Sequence, residues 1–317
     1  MKRSIFTVVT VALVCLATSA MATSWGRFYI SNDRFGRCGD ERLSPDIRAQ
    51  NCVRSIKNTM LTDYGVNYTL GGLADAFLDE SDYKSAIVVY DKAIKATRHS
   101  DQTVFRYLRG MAYLRWGKQD VASEEFAKIV QETNNSYGYV GLAEVAADRG
   151  DYKQAIELFD RAYNANTANY DIELQRAAVY TAMGDYDKAM KDDSDIAGYY
   201  PNFFYPFANR CWDRAVSNRD LDSALSDCNH ALDILPDDPD TLDSRGMVRF
   251  RQGRLDDALA DYNAALSHNP RMASALFMRG IVELRKGDAE KGQADIQQAN
   301  NVYPLIGAKF AIYGIAP

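Results

Sequence analysis

Apolar and small residues recur along the chain at the spacing of amphipathic helices, most regularly between Pro239 and Pro270. Residues spaced at i, i+4 and i+7 or i+8 lie on one face of a helix. Two such faces occur in this stretch, namely Leu242, Gly246 and Phe250, then Ala258, Tyr262 and Ala265. Gly253 suits the left-handed conformation that ends a helix, and Pro270 ends the second helix because proline has no N–H to donate. The stretch therefore predicts a pair of helices.

This pair is one of seven similar units between residues 67 and 304. The small residue of the second helix recurs every 33 to 36 residues, at Ala86, Ala122, Ala155, Ala189, Ala224, Ala258 and Gly292. Glycines mark the turn inside five units, at Gly117, Gly150, Gly184, Gly253 and Gly287. Prolines close four units, at Pro201, Pro236, Pro270 and Pro304. The repetition predicts an all-α array that grows by stacking copies.

The period resembles the tetratricopeptide repeat, which has small residues at positions 8, 20 and 27, aromatic residues at 11 and 24, glycine at 15 and proline at 32. Gly110 with Tyr113, and Ala177 with Tyr180, occupy positions 8 and 11. The resemblance implies a solenoid of about seven antiparallel helix pairs that form a right-handed superhelix with a concave groove. It also implies a protein-binding scaffold, although the fold alone does not determine function.

The two ends of the chain differ from the repeats. Residues 1–22 combine Lys2 and Arg3, an apolar run and a small-x-small sequence, which is the composition of a signal peptide cleaved after Ala22. An uncleaved membrane anchor is the alternative, but the apolar stretch at 5–22 is short for a span. Residues 23–66 predict an irregular leader and a capping half repeat. Residues 305–317 predict a cap, formed by a last helix over the exposed face of the seventh unit.

Charge limits the classes of partner. The chain has 37 basic and 43 acidic residues, and loss of Lys2 and Arg3 with the signal leaves 35 against 43, a net charge of −8. This balance disfavours nucleic acid and anionic lipid as partners. Contact with a membrane is therefore expected only if the N-terminal segment is retained. The expected location is the periplasm or the cell envelope.

Four cysteines remain after cleavage, an even number in an oxidising compartment. Three connectivities are possible, and the favoured pairs are the local ones, Cys38–Cys52 and Cys211–Cys228. The resemblance implies that Cys211 and Cys228 face each other within one unit, at positions 7 and 24. The alternative is a pair of buried free thiols. The only histidines are His99, His230 and His268, and no spacing of cysteine or histidine indicates a metal site.

No catalytic constellation emerges from the sequence. It contains no G-x-S-x-G, no phosphate-binding G-x-x-x-x-G-K-[ST] and no dinucleotide fingerprint. Carboxylates such as Asp185, Asp192, Asp238 and Asp243 are interpreted as groups at helix starts, where the helix dipole favours negative charge, and on solvated helix faces. The chain is therefore expected to have no cofactor and no enzymatic activity.

Two units depart from the repeat. In the fifth, Trp212 is assigned to the small position, Arg219 replaces the turn glycine, and Cys228 replaces the aromatic residue. In the fourth, Asp193 stands where an aromatic side chain should fill the space between the helices. The aromatic run at 199–207 follows immediately. It is interpreted first as a plug for that defect, and second as a binding patch.

The resemblance implies that positions 2, 5, 9, 12 and 13 of each first helix line the groove. Carried over to this chain, the candidate binding residues are Tyr107, Met111, Leu114, Tyr137, Val140, Leu174, Met247, Phe250, Arg251, Phe277, Ile281 and Arg285. The groove positions contain no lysine, so the subfamily that grips the C-terminal tails of chaperones with lysines is not matched. The anchors suit an extended or helical apolar segment of another protein. Alternatively, some of these side chains simply pack on the next helix.

These observations favour a non-catalytic scaffold of the cell envelope with a protein or peptide partner. The alternative is a structural component of the envelope that self-associates or is anchored to the membrane through its apolar leader or its aromatic run.

Overall fold

The computed structural model describes residues 71–317 except positions 76, 79–80, 97–98 and 167–168, together with positions 43, 44, 47 and 51. The predicted signal segment and the Cys38–Cys52 bridge lie outside these residues. The predicted leader and half repeat also lie outside them, apart from the four single positions.

All regular elements in the described part of the chain are helical, which confirms the all-α prediction. Helical residues at 71–75 and 77–78 precede fourteen helices. These are α1 Tyr83–Ala96, α2 His99–Arg115, α3 Gln119–Thr133, α4 Ser136–Asp148, α5 Tyr152–Ala165, α6 Tyr170–Met183, α7 Tyr186–Tyr199, α8 Phe204–Ser217, α9 Leu221–Ile234, α10 Pro239–Arg251, α11 Leu255–His268, α12 Ala273–Lys286, α13 Ala289–Val302 and α14 Ile306–Ile312.

The helices pack in pairs that are joined by short turns. The two helices contact each other extensively within the pairs α2 and α3, α4 and α5, α8 and α9, α10 and α11, and α12 and α13. The predicted turn glycines Gly117, Gly150, Gly184, Gly253 and Gly287 all have φ between 73° and 92°. A side chain is strained in this left-handed region, so glycine is favoured there. The helix-pair repeat predicted from the sequence is therefore confirmed.

The chain divides into two compact units, Met1–Gln175 and Arg176–Pro317, with the boundary inside α6. In the first unit, two buried clusters are described, one around Tyr90 and one around Phe126. In the second unit, one continuous cluster extends from Cys211 to Ile315.

In the second and sixth pairs, a small residue on the first helix faces a large residue on the second. A Cβ added to Gly246 would lie 2.7 Å from Cε1 of Tyr262, and a Cβ on Gly110 would overlap the Phe126 ring. Both rings are fully buried. The small and large positions of the repeat are therefore complementary, because each ring occupies the space that a side chain at the glycine would need.

The fifth pair corrects the predicted register by one residue. Cys211, not Trp212, takes the small position: it is fully buried, and its disulfide to Cys228 joins Cα atoms 5.2 Å apart. The cause is one additional residue in the turn, where Asn218 and Asp220 have φ of 54° and 45° and replace the single glycine. Trp212 is consequently rotated out of the pair and onto the face beside Tyr313.

Asp193 is completely buried at the position of the repeat that an aromatic residue usually holds. Its Oδ1 accepts a hydrogen bond from Nδ2 of Asn209 at 3.1 Å, while its Oδ2 has no hydrogen-bond partner among the described residues. Burial raises the pKa of this carboxyl well above its usual value. The aromatic run packs partly on itself, with the Phe204 and Tyr205 rings 5.3 Å apart. Tyr199 at its start is 82% exposed.

Two of the carboxylates interpreted as solvated are in fact buried. Asp185 and Asp238 cap helices as expected, accepting from the backbone N–H groups of Lys188 and Thr241. Asp192 instead binds the Arg176 guanidinium inside its helix pair, and Asp243 is 5% exposed. The sequence interpretation was wrong for these two because both fall on an inward face of their helix, beyond its first turn.

Candidate protein-binding surfaces

The candidate groove residues of the first unit form an aromatic surface on α2 and α4. The Tyr107 ring lies 5.2 Å from the Tyr137 ring and 5.8 Å from the Phe126 ring. Met111 and Leu114 are half-buried beside the same cluster. Val140 and Leu174 are buried, so these two candidates contribute to the interior and offer little contact surface.

A buried carboxylate lies under this aromatic surface. Oε1 of Glu144 accepts a hydrogen bond from the Tyr107 hydroxyl at 3.1 Å, and Oε2 has no hydrogen-bond partner in the described part of the chain. Burial raises the pKa of Glu144 to about 7, although the Tyr107 hydrogen bond and the charge of Arg115 act in the opposite direction. The surface therefore combines aromatic rings with one carboxyl group that is easily protonated.

The candidate groove residues of the second unit lie on α10 and α12. Met247, Phe250, Phe277 and Ile281 are all nearly completely buried. Arg285 is exposed, and its guanidinium lies 4.2 Å from the centroid of the Phe250 ring. The structure thus brings these predicted residues together on one face. Trp212 on α8 lies on the same face, and we call the whole surface the α8–α10–α12 face.

Residues 305–317, the C-terminal segment, cover this face. The Phe310 ring stacks on the Phe277 ring at 5.1 Å, and Nη2 of Arg251 donates to the backbone carbonyl of Tyr313 at 2.5 Å. Ile306, Phe310 and Ile315 are at most 2% exposed. Beyond them, Ala316 and Pro317 line a pocket of about 250 Å³ with Ile281, Leu284 and Arg285.

The segment also reaches α8, which belongs to the third helix pair before it in the chain. The Tyr313 ring meets the Trp212 ring edge to face at 5.9 Å, and Nζ of Lys309 lies 5.8 Å from the Trp212 centroid. Burial lowers the pKa of Lys309, and the nearby charges of Asp243 and Asp240 act in the opposite direction by favouring its ammonium form. The predicted cap helix does contact α12 and α13, but the segment as a whole extends across three first helices.

Several residues of these surfaces were missed by the sequence reasoning. Trp212 was assigned to the interior of its pair because the extra turn residue was not recognised. Lys309 and Tyr313 were treated only as part of a cap. The sequence does contain a signal for this contact: Ile306, Phe310 and Tyr313 in the C-terminal segment follow the i, i+4 and i+7 spacing of a helix face.

Two further kinds of site are absent from the described residues. No three histidine, cysteine or acidic side chains there come close enough together to hold a metal ion. Among the described helices, none combines the length and the hydropathy that are needed to cross a bilayer.

Comparison with known families agrees with the fold. Two family models, both described as tetratricopeptide repeat, match residues 146–191 and 213–283. A TPR repeat-containing protein of Methanocaldococcus jannaschii is 24% identical over 159 residues, which are 49% of this chain and 28% of that protein. The chain spans about a quarter of the length of the curated relatives that it matches.

Solved structures show the same architecture. A tetratricopeptide repeat protein from Parabacteroides merdae superposes with a TM-score of 0.58 at 16% identity, over 78% of this chain and 99% of that one. PilW, described as a widely conserved type IV pilus biogenesis factor, superposes with a TM-score of 0.56 at 15% identity, over 64% of this chain and 94% of that one. At these identities, the likeness concerns the fold alone.

Proposed function

We propose that this chain, which is a tetratricopeptide repeat protein, is a non-catalytic scaffold of the bacterial cell envelope that binds segments of other proteins on the face of its first helices. Helical-repeat faces of this kind bind by apolar and aromatic anchors placed at regular spacing. The chain offers two such faces, one around Tyr107 and Tyr137 and one around Phe250 and Phe277.

The observation that carries the proposal is the occupancy of the α8–α10–α12 face by a peptide segment. Residues 305–317 lie across it with ring stacking at Phe310, a backbone hydrogen bond at Tyr313 and an ammonium group at Lys309. The face therefore has the shape and the chemistry to hold a short helix with apolar anchors, which is a common mode of peptide recognition.

The envelope location is supported by the N-terminal sequence, where a basic start, an apolar run and the sequence Ala20-Met21-Ala22 indicate export. A disulfide between Cys211 and Cys228 is consistent with an oxidising compartment, in which such bonds persist. The fold that the chain shares with PilW, a pilus biogenesis factor, is compatible with this location.

Photo-crosslinking in cells tests the proposal. A photoreactive amino acid placed at Met111 or Tyr137 should yield specific protein adducts, because both positions lie on the first-helix surface of the first unit. The matched control is the same amino acid at Glu157, an exposed position on the second helix α5. Adducts of equal pattern and yield at Glu157, or none at Met111 and Tyr137 in a folded protein, would refute the proposed use of this face.

A second candidate function is self-association within the envelope. Tyr199 and Tyr200 at the end of α7 are 82% and 45% exposed, which is unusual for adjacent aromatic residues. In that case light scattering should detect oligomers, and Tyr199→Ser should dissociate them. A monomer at all accessible concentrations would remove this candidate.

A further inference from the structure

We propose that the C-terminal segment is a displaceable occupant of the α8–α10–α12 face, and that the partner of this face is an amphipathic helical segment of another protein with the same chemistry. That chemistry is three large apolar or aromatic side chains on one side of a helix and one lysine or arginine beside them. The inference rests on the proposed function, because it names the kind of segment that the scaffold binds.

The segment engages the residues that the repeat pattern assigns to partner binding. It contacts Phe277 on α12, Arg251 on α10 and Trp212 on α8. These residues belong to three successive first helices, so the segment runs across the repeats. A helix that only closed the end of the array would need contacts with the last pair alone.

The chemistry of the covered face is unusual for a permanent core. Oδ1 of Asp243 and Nε of Arg251 are buried without a hydrogen-bond partner among the described residues. Burying such groups costs free energy, and well-packed apolar residues would stabilise a core at least as well. Charged groups retained on a covered face are typical of a binding site. Here the acidic groups of Asp240 and Asp243 act on Lys309, which supplies the complementary charge.

The C-terminal segment is held weakly enough to dissociate from the α8–α10–α12 face. α14 has only seven residues, and helices this short are not stable by themselves in water. It buries one side only, since Ile312 is 65% exposed. Pro304 precedes it and separates it from α13.

The occupant defines the pattern of its competitor. Ile306, Phe310 and Tyr313 are spaced i, i+4 and i+7, and Lys309 lies directly before the central ring. On a helix this spacing places the three apolar groups on one face, as in helix-in-groove recognition. The partner segment is therefore expected to repeat the order apolar, basic, aromatic, aromatic at positions 1, 4, 5 and 8, counted from Ile306.

A labelled peptide tests the exchange. The probe is residues 304–317, PLIGAKFAIYGIAP, carrying a fluorophore at its N-terminus, and the full chain is the receptor. Phe310→Ala in the chain should weaken its own segment and so raise the affinity for the probe about tenfold or more over the unchanged chain, because occupancy lowers the apparent affinity. The matched control is Ile312→Ala, which changes an exposed residue of the same helix and should bind the probe like the unchanged chain.

The probe sequence tests the charge. In a second probe, glutamate replaces the residue that corresponds to Lys309. The Phe310→Ala chain should bind this second probe about tenfold more weakly than the original one, because the glutamate places a like charge beside Asp240 and Asp243. Equal affinities of the two chains for the original probe, or no binding to either, would overturn the inference. The crosslinks at Met111 and Tyr137 are independent of this result, so the proposed function could stand while the inference fails.

If circular dichroism shows that the Phe310→Ala chain does not fold, hydrogen exchange on the unchanged chain tests whether the segment is displaceable. The amides of Ile315 and Gly314, whose hydrogen bonds lie within the segment, should exchange at least about tenfold faster than the amides of α10. An excess of unlabelled probe should accelerate them further. If the amides of the segment and of α10 were equally protected and the probe had no effect, the segment would be an integral part of the core, and the inference would be overturned.

Discussion

Arg245 binds Asp261 through one edge of its guanidinium, with hydrogen bonds donated from Nη2 at 2.7 Å and from Nε at 3.1 Å. The pair joins the first helix to the second inside one repeat. Equivalent pairs recur in the second unit at Arg176–Asp192, Arg210–Asp227 and Arg279–Asp295. Each aspartate is buried or nearly so. The repeats are therefore held together by a row of ionic contacts as well as by apolar packing.

Asp261→Ala should destabilise the second unit strongly. The substitution leaves Arg245 and Arg249, which both bind Asp261, without their buried counterion. Breaking such a pair costs about 3–5 kcal/mol of unfolding free energy. Urea unfolding followed by circular dichroism measures it. The control is Asp257→Ala, which breaks the half-exposed pair with Arg254 and should cost about 1 kcal/mol or less. Equal unfolding midpoints of the two variants would contradict this role of Asp261.

The row of pairs could have been predicted from the sequence. Arginines recur at 176, 210, 245 and 279, and aspartates at 192, 227, 261 and 295, with the same period as the small residues. Opposite charges that share the period of a helix repeat indicate pairing between the two helices. The sequence interpretation instead placed Asp192 in solvent, because it considered acidic residues by their distance from a helix start.

Gly246→Ala should destabilise the protein through a clash and not through backbone strain. The new Cβ would lie 2.7 Å from the buried Tyr262 ring, which cannot move away inside a close-packed pair. Overpacking of this kind costs about 1–3 kcal/mol. Gly198→Ala is the matched control, since nothing lies within 4 Å of its Cβ and it is also helical. Alanine should be neutral or stabilise there by up to about 1 kcal/mol. Thermal melting separates the two, and a loss at Gly198 equal to that at Gly246 would refute the argument.

The stability of the second unit should fall as the pH rises from about 4 to 8. Burial raises the pKa of Asp213 to about 7, against the hydrogen bond from Thr181 and the charge of Arg214. In the unfolded chain this carboxyl loses its proton near pH 4, so between pH 4 and 7 the folded state binds more protons. Unfolding free energy then decreases with pH through this range.

Asp213→Asn should remove that contribution, because the amide can still accept from Thr181 but does not ionise. Between pH 4 and 8, the unfolding free energy of the variant should rise by on the order of 2–4 kcal/mol relative to that of the unchanged chain. This follows because a tenfold change in proton affinity corresponds to about 1.4 kcal/mol. Asp237→Asn, at an exposed carboxylate, serves as the control and should run parallel to the unchanged chain. Parallel curves for Asp213→Asn would contradict the buried, protonated state of this group.

The candidate site was less predictable than the fold. Repeat period, turn glycines and small positions are local features that recur, so each copy supports the others. The coverage of Phe250 and Phe277 by the C-terminal segment occurs only once among the described residues, so no other copy supports it. The sequence does not indicate which of several apolar helix faces the segment packs against. The exposure of Trp212 toward that segment depends on a single added residue in a turn, which changes the helix face of every residue before it.

Reduction should destabilise the second unit through the Cys211–Cys228 bond. Both residues are fully buried, and the bond closes a loop of 17 residues, for which chain-entropy models give about 3 kcal/mol. The thermal midpoint should therefore fall when the unchanged chain is melted with dithiothreitol. A chain with Cys211→Ala and Cys228→Ala should melt near the reduced protein and should not respond to the reductant, apart from any effect of Cys38 and Cys52. Free-thiol titration in denaturant provides the direct check: two reactive thiols lost on the double substitution would show that the pair is reduced, and the disulfide would then not contribute to the stability of the fold.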